Sequence, residues 1–148
     1  MQTNNEQDID SQTTESSLPR SAMASTAIQT LAWAKMGLGA ASIIAPQLVL
    51  KLFLLDLPDD TNVMSRLFGS SCAGMGAVLW VVQRACMKGK VDVGVLRTVV
   101  GVNVLADGVD VVSCVGGHLS GRYGIEAGGM LGGGCLVLAV LGVIGLRM

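Results

Sequence analysis

The chain has little charge. Asp, Glu, Lys and Arg make up 14% of its 148 residues, against about 25% in ordinary soluble domains. That is too few to cover the outside of a water-soluble globule. Aromatics are sparse as well, with two Trp, one Tyr and two Phe, so stacking on nucleic-acid bases has little to work with. Neither sign of charge dominates: the net charge is −1, which supplies no basic field for nucleic acid. No CxxC pair occurs among Cys72, Cys86, Cys114 and Cys135, and all four lie in or beside apolar stretches. This argues against a disulfide framework or a zinc knuckle and for small buried hydrophobes. The basic and short apolar regions of a cleaved signal peptide are missing from the start, so insertion is expected to rely on the first apolar helix.

What the chain has is apolar length and glycine. Hydrophobic residues reach 51% and glycines number 20, with a mean hydropathy of +0.58. Residues 1–22 are polar and acidic, with Glu6, Asp8, Asp10 and Glu15. Such a stretch buries too little apolar surface to offset its ordering entropy, and is read as a disordered cytoplasmic tail. Residues 23–148 then form one membrane domain. A spanning helix needs about 20 mostly apolar residues, and four segments qualify: 27–45, 63–82, 95–115 and 125–146. The expected fold is all-α, a four-helix transmembrane bundle. Pro46 closes the first span, and the Leu-rich stretch after it is too short to cross. It is either an interfacial helix with Lys51 snorkelling or a cover over the bundle mouth. Pro58-Asp59-Asp60-Thr61 reads as a turn and helix N-cap region.

Lysine and arginine set the orientation. Arg84, Lys88, Lys90 and Arg97 flank the connection between the second and third spans, and Arg20 and Arg147 flank the termini. With Lys51, Arg66 and Arg122 on the other side, the bias favours both termini in the cytoplasm. Trp80 and Tyr123 fall near the expected interfaces.

The third span carries the sharpest signal. Asn103, Asp107, Asp110 and Cys114 recur at i, i+4, i+7 and i+11, which places them on one helix face. Two carboxylates at membrane depth are costly and should face protein or water rather than lipid. Two cations stand in other spans. At 1.5 Å per residue, Lys35 lies about 14 Å and Asp107 about 18 Å from the inner face. Arg66 and Asp110 come out at about 25 and 23 Å in a core ~30 Å thick. Two pairs or one network are expected, Lys35–Asp107 and Arg66–Asp110. They either fix helix register or line a polar pocket in which one carboxyl is the acid and the other the base. Asn103 would orient them. A metal site from Asp107, Asp110, Cys114 and His118 is disfavoured by its mixed, loosely spaced ligands, and Gly116-Gly117 is expected to end the helix before His118. No cofactor motif is present: Gly132-Gly133-Gly134 lacks the Lys-Ser/Thr of a phosphate loop.

The fourth span contains Gly124, Gly128 and Gly132, with Gly129 and Gly133 one step round; the second has Gly69, Ala73 and Ala77, with Ser70 and Gly74. These small-xxx-small steps let helices pack backbone to backbone, inside the bundle or in a homodimer. Leu at Gly128 or Gly132 is expected to disrupt packing, and Leu at Gly145 to matter less.

Arg66-Leu67-Phe68-Gly69, followed by Gly74 and Gly76, resembles the Arg-x-Phe-Gly…Gly signature of small four-helix membrane proteins of unknown function found in fungi and actinobacteria, DoxX-like in shape. Asp107-x-x-Asp110 is similar to that family's paired aspartates, as is a first span ending in Pro before a Leu-Phe segment. The resemblance covers residues 27–146. Ser70-Ser71 stand where such families often carry an Arg or Asp. It implies the four-helix fold and, by analogy with membrane isomerases and cyclases of fungal secondary metabolism, an acid–base site for a lipid-soluble metabolite. The contrary class is a scaffold, a complex subunit or a small transporter.

Overall fold

A computed structural model describes residues 5–55, 62–122 and 124–147, with side chains from residue 22 onward. Among these residues the chain is all-α. Five helices follow in order: α1 (Asn5–Ile44), α2 (Pro46–Leu52), α3 (Asn62–Met87), α4 (Val93–Leu119) and α5 (Ile125–Gly145). Helical backbone runs through the polar segment for which composition implies no packed structure. The expected turn at Pro58–Thr61 and the interfacial Tyr123 lie outside the described residues.

α3, α4 and α5 are each long and apolar enough to cross a membrane; Ala22–Ile44 and Pro46–Leu52 together add a fourth segment, bent by 119°. Their outward faces carry large apolar side chains: Leu105 and Val112 are 69% and 72% exposed. An apolar exterior of this kind marks a surface meant for lipid or a partner, consistent with a multi-pass membrane protein.

The long helices pack in sequence around a ring, α1 on α3, α3 on α4, α4 on α5 and α5 back on α1. The stretch of α1 around residues 28–32 meets the C-terminal part of α3 and the start of α4, where Ile28, Leu31, Leu79, Leu96 and Val100 form an apolar core. Successive long helices therefore alternate in direction. Gln83 ties the same end together: its buried amide donates to the Ser25 carbonyl at 2.8 Å.

Along the α1–α3 seam backbone meets backbone. A Cβ on Gly39 would stand 2.5 Å from the Gly69 carbonyl oxygen and the Ala73 amide nitrogen. One on Gly76 would stand 2.7 Å from the Ala32 carbonyl oxygen. The small-residue motif of Gly69 and Ala73 thus does what the sequence implies. Within the single chain the α5 run is open at three positions: no neighbouring atom lies within 4 Å of a Cβ on Gly124, Gly129 or Gly133. At Gly132 the nearest is Cys114 Cβ at 3.4 Å, whereas at Gly145 Ile28 Cγ1 would be 2.7 Å away. The expected ranking of Gly132 above Gly145 is reversed, because Gly145 faces the core and Gly132 lies toward its margin.

Three helices end alike. Residue C′ turns left-handed and the next amide reaches back five residues: Leu54 (φ 57), Gly89 (φ 66) and Gly121 (φ 70), with Leu55, Lys90 and Arg122 donating to the carbonyls of Leu50, Ala85 and Gly117 at 2.9, 2.9 and 3.0 Å. This is the Schellman arrangement. It corrects the expected end of α4. Gly116 and Gly117 stay helical and His118 belongs to the helix. Glycine stops a helix where it takes positive φ, and here that residue is Gly121.

Candidate functional site

α4 buries Leu96, Val100, Asn103, Asp107 and Cys114, one stripe of steps three, four and seven. The polar face read from the sequence is therefore an interior face. Opposite Asp107, α1 presents Lys35, brought close because Gly76 of α3 leaves room beside it; a Cβ there would stand 3.0 Å from Lys35 Cβ. Lys35 Nζ donates to Asp107 Oδ1 at 2.7 Å, with the two side chains 3% and 4% exposed. The pair inferred from matching depth is formed.

Arg66 is placed differently. Its side chain is exposed, and no ion pair joins it to Asp110. The charges acting on Asp110 are those of Asp107 and Lys35. Rise along an axis sets depth, but about 100° of turn per residue sets direction. At that turn Arg66 points roughly 90° away from the middle of the stripe of Gly69, Cys72 and Gly76 that α3 buries. Asn103 is buried, but its Nδ2 donates to the Val99 carbonyl of its own helix at 2.9 Å, so the amide is turned along α4 rather than toward either carboxylate.

Lys35, Asp107 and Asp110 share a cleft of about 200 Å³, walled also by Ser71, Cys72 and Met75. Two buried acceptors on α4 have no hydrogen-bond partner: Asp107 Oδ2 and Asn103 Oδ1. A buried carboxylate oxygen left unpaired is expensive. Beside the cleft lies a larger chamber of about 520 Å³, lined almost wholly by apolar groups. Leu38, Phe68, Cys135 and Leu138 border both spaces, so the chamber and the charged cleft adjoin. Val49 and Leu50 of α2, with Phe53 and Leu55 beyond it, form part of the chamber lining. The segment after Pro46 thus turns one face to the chamber, while Leu48 and Leu52 on its other side are 70% and 63% exposed.

The chamber residues were not distinguishable in sequence, because a cavity-facing Leu and a lipid-facing Leu look alike in an apolar span. Gln83 did carry a signal, as an amide within an apolar helix. The four cysteines are free thiols. Among the described residues no three His, Cys, Asp or Glu side chains are grouped to hold a metal ion; His118 is half-buried near the end of α4. Compared with protein-family models, curated proteins and solved structures, the chain matches none.

Proposed function

We propose that the protein is a four-helix transmembrane bundle, both termini cytoplasmic, that binds a lipid-soluble metabolite in the chamber and presents its polar group to Asp107 and Asp110. The observation that carries this reading is the unpaired, buried Oδ2 of Asp107 in a cleft bordering an apolar space of about 520 Å³. Ligand sites are mostly apolar cavities of ~300–1,000 Å³ with a few convergent polar groups. Ionisable groups inside a membrane are functional by default. Two carboxyls within one cleft also suit acid–base work: one gives a proton to the metabolite while the other takes one, an isomerisation or cyclisation that consumes no cofactor. Membership of the DoxX-like group and a place in fungal secondary metabolism belong to this proposal and rest on the motif resemblance alone.

The second reading is a scaffold, complex subunit or small transporter. The Lys35–Asp107 pair favours it in one respect, since a buried pair between two helices also fixes their register.

Mass spectrometry of the lipid-soluble material that co-purifies with the protein tests the choice. Gly134 lines the chamber and has nothing within 4 Å of its Cβ position, so Gly134→Phe fills the space without a backbone clash. A species enriched by wild type and lost from Gly134→Phe and Asp107→Asn supports the site. If wild type and Gly134→Phe carry the same material, the chamber is not a binding site and the scaffold reading stands.

A further inference from the structure

The cleft is unbalanced in charge. One ammonium, Lys35, faces two carboxyls, Asp107 and Asp110. Lys35 is committed at 2.7 Å to Asp107 Oδ1, which leaves Asp107 Oδ2 without a partner. Asp110, half-buried, forms no salt bridge or hydrogen bond with another described residue, and Arg66 does not reach it. With both carboxyls ionised, the state that a bound ammonium favours, the groups left for a ligand are acceptors and together carry one negative charge in excess. The neighbouring chamber offers almost nothing but hydrocarbon.

Resting on the ligand-site reading above, we infer that the bound molecule is a lipophilic amine. Its ammonium sits between Asp107 Oδ2 and Asp110, and its hydrocarbon body lies in the chamber. An ammonium has three donors and no acceptor, which matches a cleft whose free groups only accept. It also cancels the excess charge, which matters most where the dielectric is low. A neutral alcohol would satisfy one acceptor and leave the charge. A fatty acid would add a second uncompensated negative charge beside two carboxyls.

Three probes of equal chain length separate these cases: dodecylamine, dodecanol and dodecanoic acid. Binding is measured on the full-length protein in nanodiscs of zwitterionic lipid, where surface charge does not concentrate the amine. The quantity read is the saturable part of binding that Gly134→Phe abolishes. Charge-assisted hydrogen bonds exceed neutral ones by roughly 1.4 kcal/mol, or about tenfold in affinity. The amine is therefore expected to bind about tenfold or more tightly than the alcohol, with the acid weakest. Asp110→Asn removes the unpaired charge without touching the Lys35–Asp107 bridge, and should bring amine and alcohol together. If alcohol or acid binds as well as the amine, or Asp110→Asn leaves the preference intact, the amine assignment is overturned and the ligand chamber survives. If none of the three shows a component that Gly134→Phe abolishes, the amine assignment falls; the chamber falls with it only if Gly134→Phe also leaves the co-purifying material unchanged.

Discussion

Lys35 is the group on which the interior of the molecule depends. Removing its ammonium leaves the Asp107 carboxylate buried with neither oxygen paired, and breaking one side of a buried ion pair costs about 3–5 kcal/mol. Lys35→Met should therefore lower the thermal midpoint of the purified protein in detergent clearly. Lys35→Met/Asp107→Leu should recover much of the loss, because no stranded charge remains. Ligand content then separates structure from function. A pair that only fixes register regains its co-purifying material in the double variant; a carboxylate that contacts the metabolite does not. Glycine gives a second test at this scale. Gly39→Ala drives a methyl to 2.5 Å from backbone atoms of α3, which cannot swing aside, and overpacking of this kind costs about 1–3 kcal/mol or more. Gly37→Ala, two residues earlier and open on all sides, should leave the midpoint unchanged or raise it slightly. Equal effects at the two positions would contradict the close α1–α3 seam. The Lys35–Asp107 pair was legible in sequence because charges are rare in apolar helices and rise fixes their depth. Arg66 was not, because a single depth leaves every direction around the helix open.

At the scale of the element, α2 is the part whose geometry carries a cost. Its C-terminal turn repeats the Schellman closure of α3 and α4, but with Leu54 where the others have Gly89 and Gly121. A left-handed L-residue costs roughly 1–2 kcal/mol, while glycine gives back about 0.5–1 kcal/mol in unfolded-state entropy. Leu54 is 55% exposed, so little packing is lost with its side chain. Leu54→Gly is expected to hold or raise stability by up to about 1 kcal/mol, and Leu54→Val, β-branched, to lower it; thermal unfolding of the two variants checks the ordering. Sequence left two placements for this segment, on the membrane surface or over the bundle mouth, since its Leu and Val residues suit either. The 119° bend after α1 and the burial of Val49 bring one of its faces against the chamber, which either placement allows. The end of α4 was misjudged for a related reason: glycine identity alone does not reveal which glycine takes positive φ.

For the whole molecule, the question is whether α1 crosses the membrane. From Ala22 to Ile44 it is about 34 Å long at 1.5 Å per residue, enough for a core ~30 Å thick, yet it passes as an apolar span only together with α2. A crossing and a re-entrant loop predict different topologies. If α1 crosses, its start lies on the same side as the end of α3 and the end of α5, as the Gln83–Ser25 bond and the Ile28–Gly145 contact require of the folded chain. Both termini and the Lys88–Lys90 connection then share one face. Arg84, Lys88 and Lys90 cluster there, and positive residues stay cytoplasmic. If instead α1 and α2 dip in and return, the N-terminus lies with the start of α3, opposite the C-terminus. Reporter tags on each terminus, at Lys88–Lys90 and at Asp59–Asp60 should give cytoplasm for the first three and the far side for the last. Termini mapping to opposite faces would leave three spans. Lys35 would then enter from the face it is now expected to point away from, and its depth match with Asp107 would lose its basis.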